Sequence, residues 1–81
     1  MEKVKQDVIR NVLWYFGDYE NGWEPGHFTR LLLAAFQSAD PQNTLKLEVG
    51  FPDYAWAMRT AMRDENGMPL LAAMVRDNAG D

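Results

Sequence analysis

Residues that break or open helices recur at close intervals along this chain. Gly17, the pair Pro25-Gly26, the pair Asp40-Pro41, the run Gly50-Phe51-Pro52 and a turn at residues 64–67 followed by Met68-Pro69 cut it into short segments. Glycine just past a last helical turn reaches the positive φ needed to end it. Proline opens a helix at its first position but cannot continue one. Between these points apolar residues recur with the helical period. The expected fold is therefore all-α: one domain over residues 1–81, a compact bundle of four or five short helices.

The first segment covers residues 2–16. Val4, Val8, Ile9, Val12, Leu13 and Phe16 share half of a helical wheel, Lys3 and Asp7 are spaced as an i,i+4 pair, and Gly17 is the stop. From His27 to about Ala39, a stripe of Phe28, Leu31, Leu32, Ala35, Phe36 and Ala39 leaves Leu33 to one side. Asp40, a capping carboxylate followed by proline, opens a short helix carrying Leu45 and Leu47. A fourth runs from Phe51-Pro52-Asp53 to about Arg63, with Tyr54, Ala57, Met58, Ala61 and Met62 on one side. Met68-Pro69 begins a final two-turn segment, LLAAMV, ahead of a polar tail at residues 76–81 expected to be flexible. Residues 45–51, LKLEVGF, alternate as a strand would. The nearby Asp-Pro and the lack of a second strand to pair with favour helix. The expected core is Val8, Val12, Phe16, Phe28, Leu31, Leu32, Phe36, Leu45, Leu47, Phe51, Tyr54 and Met58.

A chain of 81 residues buries only about 60% of its unfolded surface, so its stability is marginal and a homo-oligomer fits. An apolar content of 47% is ample for a core. Cysteine is absent, which removes disulfides and thiolate chemistry and suits a reducing cytoplasm. The N-terminal residues alternate charged and apolar character, unlike a signal peptide, and no stretch reaches the ~20 apolar residues of a membrane span. The expectation is a soluble cytoplasmic protein without membrane partners. Twelve acids against eight bases give a net charge of -4, and the bases are scattered, which disfavours nucleic acid.

Catalysis needs convergent groups. The single histidine, His27, has Glu24 near it in sequence but no motif linking the two, and reads as a helix-start residue. One histidine with scattered carboxylates is a poor metal set, and the loop GDYENG lacks the alternating acids of a calcium loop. No phosphate-binding or dinucleotide fingerprint occurs. No catalytic residue, cofactor or metal is expected, and the chain reads as a non-enzyme.

Two tryptophans break the helical pattern instead. Trp14 lies on the wheel with Lys3, Asp7 and Arg10; Trp56 lies with Arg59, Thr60 and Arg63. Each is covered by a neighbouring helix or forms part of a contact surface, because tryptophan and arginine are enriched at binding hot spots. Trp23, beside Tyr19 in the acidic loop of residues 17–26, is a third candidate, or else a plug anchoring the loop. The partner-interface set is thus Trp14, Arg10, Trp56, Arg59, Arg63, Tyr19 and Trp23.

From Gly22 to Tyr54 the chain carries Pro25-Gly26 with Phe28, Leu31 and Leu32, then Ala39-Asp40 and Asn43, Leu47, and Gly50-Phe51-Pro52 with Tyr54. Over about residues 22–57 this pattern of caps and core positions resembles small proteins encoded by actinobacterial phages and prophages. The resemblance implies a bacterial cytoplasm, a mobile genetic element and a protein partner, and carries no activity. The leading reading is a non-enzymatic protein-interaction module, a phage or prophage accessory factor acting on a host or phage protein.

The alternative is a small DNA-associated transcriptional regulator. Gln42, Asn43, Thr44 and Lys46 would sit on the second helix of a helix-turn-helix, or Arg59 and Arg63 would face DNA, although Asp40 and Glu48 flank the former set. A third class, acidic mimicry of nucleic acid, would need Asp18, Glu20 and Glu24 to line one face.

Overall fold

The computed structural model describes residues 5–77, and within them every regular element is a helix: α1 (Gln6–Tyr15), α2 (His27–Ser38), α3 (Pro41–Gly50), α4 (Pro52–Arg63) and α5 (Gly67–Asp77). The all-α bundle is as expected, and residues 45–51 are helical up to Gly50. The first segment begins later than periodicity suggested, and the expected Lys3–Asp7 pair lies outside the described residues. The last helix is a turn longer than expected. It takes in Gly67 and continues through Arg76 and Asp77 into the stretch expected as tail. Pro69 is harmless there, because the first turn of a helix has no internal partner for its N–H groups.

The caps follow local chemistry. Gly17 takes φ +100°, the Asp18 N–H donates to the Leu13 carbonyl at 2.9 Å, and the Gly17 N–H donates to Trp14 at 3.0 Å. This pair of bonds satisfies the carbonyls that a helix end leaves open. At α3, the Asp40 carboxylate accepts from the Asn43 N–H at 2.8 Å while Pro41 opens the helix.

The core is built from four helices. α1 supplies Val8, Ile9, Val12 and Leu13; α2 supplies Leu32, Leu33 and Phe36; α4 supplies Ala55, Ala57 and Met58; α5 supplies Leu71, Ala72 and Val75. α4 is the hub, packing on all four other helices, and α1 and α5 also pack on each other. α3 buries no residue.

Four expected core residues are instead exposed: Phe28 at 64%, Leu31 at 58%, Leu45 at 63% and Phe51 at 37%. Leu33, expected off the stripe, is fully buried. The cause lies in α2, where the run Leu31-Leu32-Leu33 lets several faces qualify as apolar. The face that packs on α1 and α4 is the one through Leu32, Leu33 and Phe36, which turns Phe28 and Leu31 away. Met62 is similarly turned out of the α4 face, while Ala55 faces in. Phe16, Leu47 and Tyr54 are partly buried against the core.

No helix among the described residues is long and apolar enough to cross a membrane.

Candidate functional site

The loop between α1 and α2 is fastened mainly by backbone groups. The Trp23 N–H donates to the Arg10 carbonyl at 3.0 Å, and the Asn11 side-chain amide donates to the Trp23 carbonyl at 3.0 Å. The Arg10 guanidinium donates to the Asn21 carbonyl at 2.9 Å and lies 4.6 Å from the centre of the Trp23 ring. Inside the loop, the Asp18 carboxylate accepts from the Asn21 N–H at 3.0 Å and the Gly22 N–H donates to the Asp18 carbonyl at 2.9 Å. Those bonds to Asn21, from its backbone and then its side chain, hold the Asp18 carboxyl below its usual value. Gly22 is required by contact: a Cβ there would lie 2.4 Å from the Trp14 backbone nitrogen. The loop main chain thus rests directly on α1.

Trp14 belongs to this assembly. Tyr19 meets its ring edge-on at 5.3 Å, and the Arg30 guanidinium sits 5.1 Å from the same ring. Arg30 also pairs with Glu24 and donates to the Pro25 carbonyl at 3.2 Å, which ties the loop to α2. Trp14 is accordingly half-buried, whereas Tyr19 and Trp23 remain 68% and 54% exposed. Of the loop acids, Asp18 and Glu24 are engaged in these contacts.

Trp56 lies elsewhere. It is half-buried and packs on the core, because α4 is surrounded by other helices and even its polar side has neighbours. With Arg59, Thr60 and Arg63 it lines a shallow depression beside the turn at residues 64–66. Arg59 pairs with Glu48 of α3. The candidate residues therefore fall into two groups. Arg10, Trp14, Tyr19 and Trp23 are gathered at the loop, and Trp56, Arg59 and Arg63 lie along α4.

Sequence reasoning missed Asn11, Asn21, Gly22 and Arg30 as parts of the loop assembly. The spacing Asp18-x-x-Asn21-Gly22 is a readable turn signal. Nothing local marks Asn11 or Arg30, whose partners come from other elements. Asn11 also accepts from the Tyr54 hydroxyl at 3.2 Å, which joins α4 to the loop attachment. His27 stands exposed at the first residue of α2.

The chain matches no family model, no curated protein and no solved structure.

Proposed function

We propose that this chain is a non-enzymatic protein-interaction module, a phage or prophage accessory protein that acts on a host or phage protein in the bacterial cytoplasm. The observation carrying this reading is the loop of residues 17–26. Tyr19 and Trp23 are held out into solvent on a backbone bonded to α1 at both Arg10 and Asn11. Large aromatic side chains on a fixed backbone lose little freedom when a partner covers them, and such residues dominate binding energy at interfaces. Glu20, exposed between them, gives the surface its acidic character. Arg10 and Trp14 support this surface from beneath.

The alternative, a DNA-associated regulator, finds little support. α3 packs on α4 far more than on α2, unlike the second helix of a helix-turn-helix, and Asp40 places a carboxylate at its start.

The test begins with capture of partners from host lysate on the immobilised chain. Binding of the captured protein is then compared for the native chain and a Tyr19→Ala/Trp23→Ala variant. The variant is expected to melt within a few degrees of the native protein and to bind at least tenfold more weakly, about 1.4 kcal/mol. Unchanged binding by a folded variant would overturn the loop as the contact surface. Tight, steeply salt-dependent binding to DNA would instead favour the regulator.

A further inference from the structure

We infer that the cavity between α2, α3 and α4 is a binding site for a small monocarboxylate with a short, branched apolar chain, its carboxylate taken by Arg63. No residue of the loop at 17–26 lines this cavity, and a small ligand goes beyond the reading given above.

The cavity follows from the way α3 leaves α2. Asp40-Pro41 opens α3 directly after the end of α2, and α3 then packs mainly on α4. Ala39 and Ala55 line the wedge between the three helices with side chains too short to fill it, and a space of about 120 Å³ remains. Its lining has an apolar and a polar part. Phe36, Ala55 and Met58, all buried residues of the core, form the first together with Met62. Methionine side chains adapt readily to the shape of an occupant. Thr44 and Glu48 of α3 and Arg59 and Arg63 of α4 belong to the second. Arg59 pairs with Glu48, so its charge is met. Arg63 has no ion pair among the described residues. One positive charge is therefore left over beside apolar surface, in a chain of net charge -4.

Size and charge together select the ligand. An apolar cavity of roughly 150 Å³ takes up benzene, whereas drug-sized molecules need about 300–1,000 Å³. At about 120 Å³ the apolar part of an occupant is limited to about four or five carbons. The unmatched guanidinium favours an anion over a cation or a neutral molecule, and its planar fork suits a carboxylate. Arg59 and Arg63 also border the shallow depression beside Trp56, but Asp64 and Glu65 line that side and repel an anion. Only on the cavity side does the spare charge adjoin buried apolar surface.

Titration of the full chain with isovalerate, followed by backbone amide NMR, provides the test. Saturable shifts are expected at Ala39, Thr44, Ala55 and Arg63, with a Kd of about 1 mM or tighter. The amides of α3 are expected to exchange more slowly in the complex, because the ligand touches both α3 and α4. Isovaleramide has the shape without the charge, and acetate has the charge without the chain. Each is expected to bind at least tenfold more weakly. Arg63→Gln, at an exposed position with little risk to the fold, is expected to weaken isovalerate at least tenfold and to abolish its advantage over isovaleramide. Thr44→Leu, which fills the space, is expected to remove binding of both, with its fold checked by circular dichroism. The absence of saturable shifts at these residues overturns the proposal. So does equal binding of isovaleramide or acetate, or isovalerate binding undisturbed by Arg63→Gln. A peptide ending in leucine with a free carboxylate that moves the same residues and binds tenfold more tightly than isovalerate also overturns it, assigning the site to a protein C-terminus.

Discussion

Leu31 and Leu33 are two residues apart in one apolar run, yet one is 58% exposed and the other fully buried. Leu33→Ala is expected to cost 2–5 kcal/mol, the range for emptying a packed site, and Leu31→Ala less than about 1 kcal/mol. Urea titration of the two variants checks the α2 register directly. Tyr54 carries a second residue-scale consequence. Burial of its ring is the main reason its hydroxyl is held above the ordinary value of 10.0. The unfolded chain therefore loses that proton first. The contribution to stability is complete below about pH 10 and disappears as pH rises through the folded value. Tyr54→Phe is expected to flatten this alkaline decline, seen in melting temperature against pH. At neutral pH it should cost about 1 kcal/mol for the bond to Asn11.

Helix by helix, what could be read in advance depended on how many faces each segment offered. Breakers and caps placed the end of α1 and the limits of α2, α3 and α4 within a residue or two, because Gly17, Pro25-Gly26, Asp40-Pro41 and Pro52 act through their own backbones. Which side of a helix is buried depends on neighbours. α1, with a single apolar face, was read correctly at Val8 and Val12; α2, with Leu31, Leu32 and Leu33 in succession, was not. The candidate surface shows the same division. Tyr19 and Trp23 stood out by composition, whereas their fastening to Arg10 and Asn11 spans the turn of the chain. α3 is the element with least holding it, since none of its residues is fully buried and it is fixed chiefly by its cap and by contacts with α4. Its backbone amides are expected to exchange with solvent much faster than those of α1, α4 and α5. Asp40→Ala, which removes a cap worth about 1 kcal/mol, should accelerate them further. Protection in α3 equal to that in α4 would contradict this gradient.

At the scale of the whole molecule, the arrangement depends on α4 at the centre and on α1 and α5, distant in sequence, packing against each other and against it. α5 brings Leu71, Ala72 and Val75, all of them buried. A chain ending at Asn66 would expose the faces of α1 and α4 that these residues cover. In so small a domain it is expected to lose its cooperative thermal transition, followed by circular dichroism. Gly22 has a different consequence for the molecule's history. The loop is secured by main-chain groups, by the turn from Asp18 to Asn21 and by the one residue small enough to touch α1, while Tyr19 and Glu20 project beyond them. Attachment and display are written in separate letters of the same short stretch. Substitutions at positions 19 and 20 are therefore expected to disturb the helices that carry them far less than a substitution at Gly22 would.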